Sequence, residues 1–329
     1  MSLRPSEPWA QRATRLGAVS VDLDEIGCYL AIHGLSGAAQ APRTVYEVAL
    51  ARVRAWADTL GIPLTLFVVG ADLNNEENQK RLFLLYAGGN ELGNHSLDHR
   101  YDLSRLPSEE QRRQVEEGAR SVQQIAGPGA VGFRAPGYVV TDKLLEVVRK
   151  SGALYDSSVF PCPLYYAAKG AAIGLKRLVG KRSRSLIDSL SVLTAPTRPY
   201  RLGSPYTTSG HGLWELPIQV TPTLRLPIIG TALTALGEPG SRLLTRSLSS
   251  EEFVNLELHG IDFLDQTDGL AALVPHQPDL AIPWKNKAKT LSAVVQQLQA
   301  DGRSFVRLAE VVGYLEAGAA LTGGATGSS

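Results

Sequence analysis

Four side chains at two places in the chain have the types and spacing that bind a metal ion and activate water. Asp22 and Asp24 stand two residues apart at the end of a short apolar run that suits a buried strand. His95 and His99 have the i, i+4 spacing that, on one helical turn, aims both imidazoles at one point. One carboxylate and two imidazoles leave an open position for water on a zinc-like ion, and a second carboxylate can take the water's proton.

Each pair alone also has an ordinary structural interpretation. Asp22 and Asp24 can be carboxylates that begin a loop, and six histidines in one chain readily give an i, i+4 pair by chance. The histidine pair does not form the helical zinc motif of metalloproteases, because Ser96 stands where that motif needs a glutamate. The base of such a site must therefore come from elsewhere in the chain.

The elements that must position these residues alternate between strands and helices. Apolar runs predict strands over 17–22, 64–69, 132–134, 253–259 and 304–307. Apolar spacings of three and four residues predict helices over 42–60, 108–126, 141–152, 287–300 and 308–315. Ser108 with Gln111 predicts a capping box, and Thr141 predicts a second N-cap. Strands that alternate with helices imply a parallel sheet covered by helices, open or closed into a barrel.

Composition limits the class of protein. The 329 residues are 44% apolar and 20% charged, which is typical of a folded globular chain of one large domain or two small ones. The formal charge of +1 excludes a whole-molecule field that would collect nucleic acid. Cys28 and Cys162 lie too far apart in sequence for a C-x-x-C pair, which argues against a disulfide framework. The polar first 17 residues carry no secretory signal, so a cytoplasmic protein is expected.

Three segments fall outside the regular alternation. Residues 1–16 are a polar N-terminal arm, and residues 317–329 are an uncharged tail of small residues that we expect to be frayed. Residues 161–250 contain many prolines and glycines and are too long for an ordinary loop. We interpret them as an elaboration on a single catalytic domain that spans 17–316.

Five motifs in order resemble the polysaccharide deacetylase family, the NodB-homology group of metal-dependent N-deacetylases. They are SVDLD at 20–24, TLFVVG at 65–70, ELGNHSLDH at 91–99, FRAPG at 133–137 and LH at 258–259. The resemblance implies an α/β fold, a distorted (β/α) barrel of about seven parallel strands. It also implies one divalent metal ion, expected to be Zn²⁺, and hydrolysis of an N-acyl group from an amino sugar.

The resemblance assigns roles to the residues that match the motifs. Asp24, His95 and His99 match the metal ligands, and Asp22 matches the general base. The family's two aspartates are usually adjacent, whereas Leu23 separates them here.

Further matches concern the groups around the reacting amide. Arg134 matches the arginine that orients the base, and Pro136 lies in the wall beside it. In many relatives a tyrosine follows that proline and its backbone N–H faces the oxyanion; in this chain Gly137 stands at that position, with Tyr138 next. His259 matches the histidine that protonates the leaving amine. Arg134 and His259 could instead be a buried ion pair and a core histidine.

The aspartate that tunes the leaving-group histidine has the weakest match. Asp156 and Glu215 both resemble segments that line the site in relatives, and Asp156 is our assignment. Asp156 could instead cap a turn through Ser157 and Ser158.

The expected function is removal of an N-acetyl group from an amino sugar of a polysaccharide or of a cytoplasm-side glycan precursor. The alternatives are a deformylase or amidase that acts on a lipid-linked or non-sugar amide, and an inactive glycan-binding barrel. Six basic residues and no acidic residue occur between Asp156 and Asp188, at positions 169, 176, 177, 181, 182 and 184. They form either a solvated face or a site for phosphate or anionic lipid at the inner membrane face.

Overall fold

Seven strands and nine helices make up the computed structural model, which describes residues 15–35, 37, 43–178 and 189–323. The strands are β1 (Leu16–Asp22), β2 (Thr65–Val68), β3 (Glu91–Asn94), β4 (Tyr200–Leu202), β5 (Ser209–Glu215), β6 (Phe253–His259) and β7 (Ser304–Phe305). The helices are α1 (Ile26–His33), α2 (Leu50–Leu60), α3 (Glu76–Ala87), α4 (Ser108–Ala126), α5 (Asp142–Lys150), α6 (Pro163–Leu178), α7 (Gly230–Arg246), α8 (Trp284–Ala300) and α9 (Leu308–Gly323).

The central strands are parallel and have the order β3-β2-β1-β6. β1 pairs along its whole length with β6, so that Asp22 lies beside His259. On β1, residues 20–22 pair with β2, whereas Leu16 and Gly17 pair with β7. Because these strands are parallel, the side chains that follow their carboxyl ends gather at one edge of the sheet, where α/β enzymes place their sites.

Single bridges continue the sheet around into a distorted barrel. From β3 the parallel contacts pass from Asn94 to Phe133, then to Asp156, and then to Glu215 at the end of β5. The ring returns to β6 where Gln219 N donates to Asn255 O at 3.2 Å. The four central strands and the backbone segments at Phe133, Asp156 and Glu215 together give seven strand positions around the barrel. The predicted distorted (β/α) barrel of about seven strands is therefore confirmed.

Apolar packing explains why helices cover the outer side of the sheet. Strands β1 and β2 carry apolar residues on both faces, whereas β6 carries apolar residues on one face and Asn255, Glu257 and His259 on the other. The largest apolar cluster joins these strands to α2, α7 and α8. Strands that are buried on both faces read as near-continuous apolar runs, which is why the run over 17–22 predicted β1 well.

Several predicted element ends require correction. The capping box is wrong, because Pro107 is the N-cap of α4 and the Gln111 side chain donates instead to Ser104 O and Leu106 O. The predicted cap at Thr141 is confirmed, since its hydroxyl accepts from Leu144 N at 3.2 Å. The last helix continues past residue 315 to Gly323, into the segment predicted as a frayed tail.

Residues 161–250 do more than decorate the barrel. They include α6, α7 and the antiparallel pair of β4 and β5. They also supply the strand position of the barrel at Glu215. Of the predicted basic cluster, only Lys169 has a described side chain, because 179–188 lie outside the described residues and the side chains at 176 and 177 are not described. No helix among the described ranges is long and apolar enough to cross a membrane.

Candidate metal centre

Asp24, His95 and His99 bring three ligand atoms to one buried point. Asp24 Oδ1 lies 3.1 Å from His95 Nε2 and 3.0 Å from His99 Nε2, and all three side chains are almost fully buried. His95 is oriented by a 2.8 Å contact between its Nδ1 and Arg134 O. A carbonyl can only accept, so Nδ1 carries the hydrogen and Nε2 presents its lone pair to the cluster.

The chemistry of this group fits a divalent cation. Asp24 Oδ1 and His99 Nε2 are buried and have no hydrogen-bond partner of acceptable geometry, although they lie close together. The set of one carboxylate and two imidazoles provides three protein ligands and keeps a position open, as catalytic zinc sites do. The structure therefore brings together the three residues that the resemblance assigns to the metal.

The loop after β3, and not a helical turn, aims the two histidines. His95 N donates to Val68 O at 2.9 Å, which places His95 at the end of the sheet. Ser96 and His99 both have left-handed backbone, with φ of 64° and 50°, and Ser96 Oγ accepts from His99 N. The expectation that one helical turn holds both rings is thus wrong. Positive φ is uncommon for residues with a Cβ, and here it turns the second imidazole back toward the first.

Electrostatics bind the cluster together. Burial raises the pKa of Asp24, but the nearby charge of His99, with a smaller contribution from His95, outweighs burial and holds that pKa well below its usual range. Burial lowers the pKa of His99, yet the charge of Asp24 and the neighbouring thiol of Cys28 raise it to about 10. A cation that binds here must displace the proton held between them.

Asp22 stands beside the ligands but is held by a different partner. Its Oδ1 accepts from Arg134 NH1 at 2.7 Å, and both side chains are fully buried. Arg134 is fixed in turn by Ser157, whose carbonyl and hydroxyl oxygens accept from it at 2.7 and 2.8 Å, and by the ring of Phe67. The other oxygen, Asp22 Oδ2, has no hydrogen-bond partner and lies 3.7 Å from His95 Nε2. That oxygen is free to take a proton.

His259 lies at the end of β6 and is paired with Glu257. His259 Nδ1 lies 2.9 Å from Glu257 Oε1, and His259 N donates to Asp262 Oδ2 at 2.8 Å. Burial lowers the pKa of His259, but the Glu257 charge and hydrogen bond raise it well above the usual range. The ring is therefore protonated at neutral pH. On its other side, Nε2 lies 3.3 Å from the hydroxyl of Tyr138.

The assignment of Asp156 to this histidine is corrected by these contacts. Glu257 is the carboxylate on His259, whereas Asp156 accepts from Ser158 Oγ at 2.8 Å and from Ser158 N at 3.2 Å. Burial raises the pKa of Glu215, and the negative charge of Asp156 raises it further, so Glu215 favours its neutral form. The contacts of Asp156 with Ser158 agree with the turn-capping alternative.

Glu257 was missed although a signal for it exists. Residues two apart on a strand face the same side, and Glu257 stands two residues before His259 in a run that is otherwise apolar except for Asn255. A fully buried carboxylate beside a histidine on one strand face predicts a paired imidazole. The resemblance pointed to a separate aspartate, Asp156, as the partner of this histidine.

A cavity of about 440 Å³ opens onto two of the three metal ligands and both proton carriers. Asp22, Asp24, His95 and His259 line it. Other lining residues include Tyr29, Tyr101, Gly137, Tyr138, Tyr165, Ile229, Thr231, Ala232 and Ala235.

The predicted substrate-binding turn is only partly exposed to this cavity. Pro136 is buried, and the cavity wall begins at Gly137. Tyr138 N donates to Ala135 O at 3.1 Å, so the backbone donor on the cavity side is the N–H of Gly137. Gly137 has φ of 63°, and a Cβ there would come within 3.0 Å of the Tyr101 ring.

Comparison with known proteins agrees with the motifs. Residues 49–155 match the family model described as Polysaccharide deacetylase, which confirms the predicted resemblance to that family, whose members are amide hydrolases. Metal dependence is general in that family. A search of curated proteins gave no match.

Two solved structures share the fold at low sequence identity. One is a Mycobacterium smegmatis protein whose assignment as a polysaccharide deacetylase is provisional, at 17% identity, TM-score 0.58 and 96% coverage of both chains. The other is the Xyl-CE4 domain of a multidomain xylanase from the hindgut metagenome of Trinervitermes trinervoides, at 12% identity and TM-score 0.50. It covers 92% of this chain and 91% of its own.

Proposed function

We propose that this chain, which matches the polysaccharide deacetylase family over residues 49–155, is a zinc-dependent hydrolase that removes the N-acetyl group of an amino sugar. The observation that carries the proposal is that one cavity is lined by two of the predicted metal ligands, by a group that can accept a proton and by a group that can donate one. Asp22 Oδ2 is without a partner and can accept a proton, and His259 is held protonated by Glu257.

The chain's own residues supply the proton transfers of amide hydrolysis. A bound divalent cation would polarise the acyl oxygen and lower the pKa of water at the site. Asp22 takes the proton of the attacking water, while Arg134 keeps the carboxylate in place through Oδ1. The N–H of Gly137 donates to the acyl oxygen as negative charge develops there. His259 gives its proton to the departing nitrogen, and Glu257 stabilises the charged ring beforehand.

Substrate size supports an amino sugar. A cavity of about 440 Å³ lies within the range of roughly 300–1,000 Å³ that small-ligand sites occupy. Tyr101, Tyr138 and Tyr165 present aromatic surface on its walls, which suits the apolar face of a sugar ring.

The proposal is tested by measuring released acid from a panel of N-acetylated and N-formylated amino sugars and their oligomers. The zinc-loaded wild type should release acetate, and Asp22→Asn should reduce the rate by about 10²-fold or more. Faster release of formate would reassign the acyl group. Release of neither acid from any sugar, by protein shown to contain zinc, would overturn the proposed function.

A further inference from the structure

An apolar groove of about 770 Å³ runs beside the catalytic cavity. Its walls come from the start of α6, from the segment 221–227 and from α7. None of the fifteen described residues that line it is charged. Four of the eight exposed large apolar side chains among the described residues lie in it, namely Leu164, Leu224, Leu236 and Leu243. A concentration of exposed apolar surface of this kind marks a binding site.

The groove and the catalytic cavity share a wall. Ala232 and Ala235 of α7 line both spaces, so the two spaces meet at these two small side chains. On α6, Leu164 lines the groove and the next residue, Tyr165, lines the cavity. The groove and the cavity therefore lie side by side along α6 and α7.

We infer that the groove binds the hydrocarbon chain of a lipid-linked amino-sugar substrate whose sugar occupies the catalytic cavity. This assignment rests on the proposed function. The described lining is uncharged and mostly apolar, and the groove borders the cavity that would hold the sugar, so a hydrocarbon attached to that sugar is a ligand that suits both spaces. The volume is also that of a small-ligand site.

Binding of glycosides that the enzyme cannot hydrolyse tests the groove apart from catalysis. Methyl and octyl glycosides of glucosamine, which carry a free amine, are titrated into the full-length zinc-loaded protein by calorimetry below the micellar concentration. The octyl glycoside should bind at least about tenfold more tightly, since burial of each CH₂ lowers Kd by roughly fourfold.

Two double variants test whether the hydrocarbon chain binds in the groove. Leu236→Ser combined with Leu243→Ser should abolish the difference between octyl and methyl glycosides, and both residues are exposed enough that the fold survives. The matched control is Phe83→Ser combined with Leu84→Ser on α3, two equally exposed apolar residues outside the groove, which should keep the difference.

Three outcomes would overturn the inference. Equal affinity for the two glycosides would exclude a site for the hydrocarbon chain. A difference in affinity that persists in the Leu236 and Leu243 variant would place the hydrocarbon chain outside the groove. Self-association that the same variant abolishes, without any effect of chain length, would assign the groove to a second copy. Acetate release from methyl N-acetylglucosaminide is measured in parallel, because its failure counts against the proposed function and leaves the glycoside titration as a separate result.

Discussion

Glu257 and His259 stand two residues apart on β6, and their side chains meet at 2.9 Å between Oε1 and Nδ1. The adjacent strand ends at Asp22, which is the backbone partner of His259 in the β1–β6 register. One strand pair thus presents a carboxylate that can accept a proton beside an imidazolium that can donate one. A proton acceptor and a proton donor placed side by side can carry the two proton transfers of one reaction.

The Glu257 carboxylate should set the alkaline limit of activity. The charge of Glu257 raises the pKa of His259, so removal of that charge lets the ring lose its proton at lower pH. In Glu257→Gln the alkaline limb of the kcat/KM profile should move down by about 1–3 pH units. Glu252→Gln makes the same change in charge at an exposed position nearby and should leave the limb in place. An unmoved limb in Glu257→Gln would remove Glu257 from this role.

The two aspartates of the SVDLD motif should separate by experiment. Asp22→Asn loses the free acceptor oxygen but keeps the shape of the site, so zinc content should stay near wild type while turnover falls by about 10²-fold or more. Asp24→Asn removes a carboxylate ligand and should lose the metal. The opposite pattern of zinc content in the two variants would reverse the roles given to them.

The buried pair of Arg134 and Asp22 should contribute strongly to stability. Arg134→Met leaves the Asp22 carboxylate buried without its partner, which costs about 3–5 kcal/mol of the free energy of unfolding. Urea unfolding measures this loss. Arg149→Met breaks an exposed pair with Glu146 and should unfold close to wild type. A similar small change in both variants would show that the buried pair adds little.

Gly118 of α4 should be needed for the shape of the histidine loop. A Cβ at Gly118 would lie 2.3 Å from Asn94 Oδ1 and 2.8 Å from the backbone of Ser96. Gly118→Ala should therefore lower the free energy of unfolding by about 1–3 kcal/mol and weaken zinc binding. Gly313→Ala, in open space on α9, should gain up to about 1 kcal/mol because alanine favours helix. Equal stability of the two variants would contradict this view of the loop.

The sequence predicted the parts of the fold that local pattern controls. Buried strands such as β1 read as apolar runs, and Thr141 capped a helix as its type and position indicated. The barrel segment at Phe133 was predicted as a strand over 132–134, whereas the segment at Asp156 was not, because it is a single bridge held by its neighbours. Elements within residues 161–250 were harder to predict because glycine and proline interrupt the pattern, as in α7 at Gly237 and Pro239.

The sequence predicted which residues form the site more accurately than it predicted how the backbone places them. The motifs identified Asp22, Asp24, His95 and His99, but the left-handed backbone at Ser96 that brings the histidines together depends on packing against α4. The spacing of Glu257 and His259 shows that they share a strand face, but their position beside Asp22 depends on the pairing of β6 with β1. This long-range pairing cannot be read from spacing alone.

The zinc content of the purified protein tests the central claim most directly. Full-length protein is loaded with Zn²⁺, desalted without chelator and measured by elemental analysis. The geometry of Asp24, His95 and His99 predicts about one equivalent per chain. A content below about 0.2 equivalents after loading would contradict a metal centre at these residues.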